Sequence, residues 1–240
     1  MKVRLDLLLV ERQLAPSRTA AAAMIMAGEV STDQGALTKA GQLVPDDVQV
    51  SIKQRSRYVS RGGDKLASVA DELKLDFTGL VVLDVGSSTG GFTDYALQHG
   101  AKKVYSVDVG HGQLDYKLRQ DPRVIPLEHS DIRTLESLPE LVDVAVADIS
   151  FISLTKALSS ITPKLKPGRP IIAMCKPQFE AGRVLATKYK GVIREPVRGQ
   201  VIAEFEGQIS GDFEIIAAAD SKVPGPSGNI ERFYKLVAKH

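Results

Sequence analysis

Leu83-Asp84-Val85-Gly86-Ser87-Ser88-Thr89-Gly90-Gly91-Phe92-Thr93 is the stretch that decides the fold of this 240-residue chain. It follows the apolar strand pattern Val81–Val85 and leads into a helical pattern over residues 93–98. A glycine-rich turn from strand to helix lets a ligand approach the backbone closely and meet the amides of the helix start. The spacing here is GxxxGG rather than GxGxxG, so the match to a nicotinamide site is poor. Asp84, which opens the loop, suits a cationic group such as an amine better than a pyrophosphate. The candidate cofactor loop is therefore Asp84, Gly86, Ser87, Ser88, Thr89, Gly90, Gly91 and Phe92.

Working outward, strand patterns recur at residues 103–108, 124–126, 142–147, 169–175, 213–219 and 233–238, with helical stretches between most of them. The uninterrupted apolar runs at 144–147 and 171–174 suit central parallel strands, covered on both faces. Alternating strands and helices predict an α/β, doubly wound, Rossmann-like sheet of seven mostly parallel strands. Such sheets bind ligands at the carboxyl ends of their strands. Two further acids fall at successive strand ends: Asp108 is placed to accept ribose hydroxyls, and Asp131 to contact an adenine amino group. With Asp84 they outline one adenosine pocket.

Residues 1–53 read as a small α+β unit. Leu5, Leu8 and Leu9 share a helical face, Ser17 caps a second helix over 18–27, and Gly28 ends it. Extended pieces follow at 30–32 and 48–52. Residues 54–65 read as a basic linker interrupted by Gly62-Gly63, and 66–240 as the large domain.

Composition excludes several classes. Apolar residues are 43% and charged residues 25% of the chain, as in ordinary globular domains. A formal net charge of +2 does not argue for a polyanion partner, so any nucleic-acid surface must come from local clustering. The single cysteine, Cys175, rules out an internal disulfide framework and reads as a buried strand residue. The four histidines lack metal-ligand spacing, so no metal is expected. No run approaches the roughly 18 apolar residues of a membrane span, and residues 7–10 are too short a run for a secretory signal, which makes the cytoplasm the expected location. Basic side chains gather as Arg4, Arg12, Arg18 and Lys39 in the small unit, as Arg55, Arg57 and Arg61 in the linker, and at 183–198, where Arg183, Lys188, Lys190, Arg194 and Arg198 populate a long, weakly periodic segment. Such clusters can follow phosphates. Aromatic content is 5% with no Trp, which does not indicate extensive base stacking.

The motif Asp84-Val85-Gly86-Ser87-Ser88-Thr89-Gly90-Gly91-Phe92-Thr93-Asp94 resembles the first motif of FtsJ-type methyltransferases. Residues 57–66 (Arg57-Tyr58-Val59-Ser60-Arg61-Gly62-Gly63-Asp64-Lys65-Leu66), 148–153 (Asp148-Ile149-Ser150-Phe151-Ile152-Ser153), 176–180 (Lys176-Pro177-Gln178-Phe179-Glu180) and 225–231 (Gly225-Pro226-Ser227-Gly228-Asn229-Ile230-Glu231) are similar to those of the TlyA family. Thr89 departs from the proline common at that loop position, which bears on loop rigidity and not on cofactor class.

The resemblance implies an S-adenosylmethionine-dependent 2′-O-methyltransferase of ribosomal RNA, behind an alpha-L type RNA-binding module at residues 1–53. Ribosomal RNA or ribosomal subunits are then the expected partner. It also implies a catalytic tetrad of Lys65, Asp148, Lys176 and Glu231. In that reading Lys176 lies closest to the hydroxyl, Asp148 balances charge beside the sulfonium, Glu231 orients Lys176, and Lys65 positions the ribose or a phosphate. The alternatives are a non-catalytic RNA-binding or ribosome-assembly protein that keeps the fold, and a membrane-lytic protein, since the family is often labelled hemolysin A. The absence of a signal, span or long basic amphipathic helix weighs against the latter.

Overall fold

The computed structural model describes residues 1–32, 35–37, 39–52 and 57–239. The chain divides into two compact units, Met1–Ser56 and Arg57–His240. Arg55 of the expected linker lies outside the described residues.

In the first unit, β1 (Lys2–Arg4) leads into α1 (Leu5–Glu11), α2 (Arg18–Met26) and the short strands β2 (Val30–Thr32), β3 (Gly35–Ala36), β4 (Leu43–Pro45) and β5 (Ser51–Ile52). Leu5, Leu8 and Leu9 of α1 meet Ala21 and Ile25 of α2 in one core with Val30 and Val44. The Ser17 hydroxyl accepts the Ala20 amide and so closes the open end of α2. Gly28, at φ +68°, takes the left-handed turn that ends it. Pairing is antiparallel, β1 with β4 and β2 between β3 and β5. The expected strand over 48–52 is reduced to Ser51–Ile52.

The second unit is a three-layer sandwich. Its elements are α3 (Arg61–Ser68), β6 (Val81–Val85), α4 (Gly91–Gln98), β7 (Lys103–Val107), α5 (Tyr116–Arg119), β8 (Val124–Leu127), β9 (Val144–Ala147), α6 (Thr155–Ile161), β10 (Ile171–Cys175), α7 (Pro177–Glu180), α8 (Gly182–Lys188), α9 (Val197–Ile209), β11 (Phe213–Asp220) and β12 (Arg232–Ala238). The sheet order is β11-β12-β10-β9-β6-β7-β8, with β12 alone antiparallel to its neighbours. Strand side chains alternate between two cores. Leu83, Val85, Ala145 and Ala147 pack with Leu158, Phe205 and Ile209 on one face. Val82, Val104, Val144 and Val146 pack with Leu66, Phe77 and Tyr95 on the other. Burial on both faces is why these strands read as unbroken apolar runs.

One boundary needs correction. Residues 57–65 are not linker but part of the large domain. Tyr58 is buried in its core, and the Val59 amide donates to Asp94 at 2.9 Å. Gly62 and Gly63 lie inside α3, and the missing side chains of Gly63 and Gly91 are what let it dock. A Cβ on Gly63 would sit 2.4 Å from the Tyr58 ring, and one on Gly91 would sit 2.7 Å from the Gly63 nitrogen. A glycine pair that looks like a loop signal is here the contact point of α3 with α4. Among the described residues no helix is long and apolar enough to cross a membrane.

Candidate active site

The chain order reverses between β6 and β9, the two adjacent strands from which the sheet grows in opposite directions, and the site lies at their carboxyl ends. A cleft of about 300 Å³ there is lined by Ser60 and Arg61 before and in α3, by Asp84, Gly86 and Thr89 of the loop, and by Asp148 after β9. Gly86 takes φ +80°, and a Cβ on it would lie 2.6 Å from the Asp148 carbonyl oxygen. The loop and the end of β9 thus approach to a distance only glycine permits.

Asp84 is fully buried at the floor. Its Oδ2 accepts the Thr93 hydroxyl at 2.6 Å, and Thr93 in turn lies 2.8 Å from the Ser106 hydroxyl. Its Oδ1 has no hydrogen-bond partner. Burial, with the nearby Asp148 charge as a smaller contributor, pushes the carboxyl up to about 7, against the pull of the Thr93 bond. A buried, half-satisfied carboxylate is costly unless a donor comes to it. The fit to an amino group is therefore good: Asp84 supplies an acceptor already desolvated, and the glycines supply room.

Asp108 shapes the same loop from β7. Its Oδ2 accepts the amide of Ser88, a residue at φ +47°, and its Oδ1 accepts that of Gly110, both at 2.7 Å. The unused lone pairs of this carboxylate remain available to hydroxyl groups. Asp131 is committed differently. Its carboxylate grips the Arg133 guanidinium and backbone amide, which holds it below the usual carboxylate range, and it does not line the cleft.

The four tetrad candidates form two pairs. Lys176 Nζ lies 2.5 Å from Asp148 Oδ1, an ion contact without hydrogen-bond geometry, and donates to the Ser150 hydroxyl at 2.7 Å. Lys65 Nζ donates to Glu231 Oε1 at 2.7 Å, with the two side chains 10% and 2% exposed. The expectation that Glu231 orients Lys176 is thus corrected: its partner is Lys65. The reason is that α3 is sewn along the loop that carries Glu231. Arg61 donates to the Pro224 carbonyl, and the Lys222 amide donates to Ser68. A Cβ on Gly225 would come within 2.7 Å of Glu231 Oε1, so this glycine makes room for the carboxylate.

Two features escaped the sequence reading. Glu180 of α7 accepts the Leu154 amide and the Ser153 hydroxyl at 2.8 and 2.7 Å, tying the Lys176 segment to the loop after Asp148. Its burial raises its carboxyl above the ordinary value. Phe151 is 88% exposed at φ +70°, with its ring 5.4 Å from that of Phe179, whose face lies 5.8 Å from Lys176 Nζ. An apolar residue that is largely exposed at a strained left-handed position is a combination that spacing alone does not reveal.

The basic candidates are unevenly free. Arg4 and Arg18 both reach buried Asp6, and the Arg4 hydrogen bond leads in holding its carboxyl down at about 2. Arg12 donates to the carbonyls of Asp46 and Val48. Lys39 and Arg57 are exposed, while Arg55 lies outside the described residues. The weakly periodic segment after Lys176 carries α7 and α8. Cys175 is buried in β10, with its thiol pushed well up by burial.

The FtsJ-like methyltransferase family matches residues 58–237. The protein YqxC of Bacillus subtilis (strain 168) is 42% identical over 239 residues, covering 96% of this chain and 84% of the relative. The 16S/23S rRNA (cytidine-2′-O)-methyltransferase TlyA of Mycobacterium tuberculosis (strain ATCC 25618 / H37Rv) is 38% identical over 242 residues, covering 98% and 90%. A solved hemolysin structure from Streptococcus thermophilus has a TM-score of 0.74 at 36% identity, covering 99% of this chain and 89% of its own. With the buried Asp84 cradle and the lysine pairs at one sheet edge, these matches establish that the chain belongs to the FtsJ-like methyltransferases, in the TlyA family, and uses S-adenosylmethionine.

Proposed function

We propose that this protein methylates a ribose 2′-hydroxyl of ribosomal RNA in the cytoplasm, with its small first unit, residues 1–53, acting as an RNA-binding module. The observation that carries the reading is the Lys176–Asp148 contact, set one strand from a buried carboxylate with a free oxygen. S-adenosylmethionine supplies a methyl group already activated on a sulfonium. The protein then has mainly to align an in-line displacement and manage one proton.

Asp84 would hold the amino group of the cofactor, the loop Gly86 to Gly91 would give it room, and Asp108 would hold the ribose hydroxyls of its adenosine. Lys176 meets the substrate hydroxyl. Asp148 and Ser150 hold its Nζ in place, so its charge is aimed at the oxygen where negative charge develops. The hydroxyl proton ends on the Asp148 carboxylate, directly or by relay through Lys176 Nζ, which remains an ammonium. Lys65, fixed by Glu231, positions the ribose or a neighbouring phosphate.

Phe151, tilted at 51° against Phe179, offers a face to a nucleobase, and stacking on such a face is worth about 1–3 kcal/mol per base. Lys190 and Arg194 are exposed and suited to phosphates.

The test is transfer of labelled methyl from S-adenosylmethionine to purified ribosomal subunits and to naked rRNA, followed by mapping of ribose methylation. Incorporation at a discrete 2′-oxygen is expected. No incorporation into either subunit, assembled or naked, would overturn the assignment.

A further inference from the structure

Asn229 is buried, and both ends of its side-chain amide are used. Its Oδ1 accepts the Ile193 amide and its Nδ2 donates to the Gly191 carbonyl, each at 2.8 Å. Ile193 is buried as well, whereas Lys190 and Arg194 on either side of it are exposed. On its own side of the contact, Asn229 belongs to a tight turn. Its carbonyl accepts the Gly225 amide at 2.8 Å, and the Gly225 carbonyl accepts the Gly228 amide at 2.9 Å. Two residues later Glu231 holds Lys65. The Ile230 carbonyl between them is held by Arg198 at 3.0 Å.

From this geometry we infer that Asn229 is a positioning residue that couples the basic segment 190–194 to the Glu231–Lys65 pair. The inference rests on the proposed ribose methylation for its catalytic consequence. A side-chain amide satisfies a backbone N–H and a backbone C=O at once, with its acceptor and its donor on separate atoms. Asn229 thereby substitutes for a pair of strand-ladder bonds between two segments that are not strands. When RNA engages Lys190 or Arg194, the pull is transmitted through Gly191 and Ile193 to the turn that sets the Glu231 carboxylate, and from there to Lys65. Asn229 touches none of the reacting atoms, so its effect must pass through these neighbours.

The experiment compares wild type with Asn229→Ala and Asn229→Asp. Asn229→Ala should lower kcat for rRNA methylation at least tenfold and raise KM for rRNA, with the dissociation constant for S-adenosylhomocysteine within twofold. Asn229→Asp keeps the acceptor for Ile193 and loses the donor to Gly191, so its kcat should fall between the two. Hydrogen exchange provides an arm that needs no activity: peptides covering 190–194 and 225–231 should both exchange at least tenfold faster in Asn229→Ala. Unchanged exchange, an unchanged kcat, or a loss of S-adenosylhomocysteine affinity equal to the loss of kcat would each overturn the inference. If wild type itself transfers no methyl, the functional reading fails on its own, and the exchange measurement still decides the coupling.

Discussion

Changing pH should switch cofactor affinity through one residue, Asp84. Its carboxyl is raised to about 7 by burial in the ligand-free protein, and an ammonium brought to its free Oδ1 favours the ionised form. Binding therefore requires a proton to leave whenever Asp84 starts protonated. At pH 8 the carboxylate is mostly formed. At pH 5, two units below its titration, about 1% is ionised, so affinity should fall about 100-fold, or about 2.7 kcal/mol at 1.36 kcal/mol per unit. The assay is titration calorimetry with S-adenosylhomocysteine from pH 5 to 8, in buffers of different ionisation enthalpy, which also counts the proton released near pH 6. Asp84→Asn should bind weakly and with a much flatter pH profile, which separates Asp84 from every other titrating group. An equally steep profile in that variant, or a flat one in wild type, would refute the reasoning.

The same shift has a stability consequence of opposite direction. A carboxyl with a raised folded pKa binds more protons folded than unfolded between about 4 and 7, so its contribution is full below about 4 and is lost as pH rises to about 7. Asp84→Asn should accordingly raise the melting temperature of the ligand-free protein at pH 8 and leave it nearly unchanged at pH 4, as calorimetric scans would show. Lys176→Ala should reduce methyl transfer at least 100-fold while S-adenosylhomocysteine binding stays within a few-fold, measured by labelled-methyl incorporation beside calorimetry. Glu231→Ala leaves the buried Lys65 ammonium without its counter-charge, and urea unfolding should record a loss of about 3–5 kcal/mol. Phe151→Ala, at an exposed and strained position, should leave the melting temperature unchanged or slightly higher and raise KM for rRNA several-fold in steady-state assays.

What the amino-acid order determined by itself was whatever depends on local period and local chemistry. The loop from Asp84 to Gly91, the apolar runs of β6, β9 and β10, and the capped helix α2 of the first unit are each specified within about a dozen residues, so their reading needed no partner. Asp84 and Asp108 were legible as acids beside the ends of successive strands, whereas Lys65, Asp148, Lys176 and Glu231 were marked only by the motif resemblance.

Pairing was not legible. Lys65 and Glu231 are 166 residues apart in sequence, and only the docking of α3 against the 221–231 loop brings them to 2.7 Å. Gly62-Gly63 carries the same ambiguity, since a missing Cβ serves a flexible turn or a close helix contact equally well, and Tyr58 and Gly91 decide between them. The exposure of Phe151, the commitment of Asp131 to Arg133 and the two hydrogen bonds of Asn229 with residues 191 and 193 likewise belong to the tertiary structure. Side-chain direction and burial are set by what packs around a residue, and that is a property of distant chain segments meeting in space.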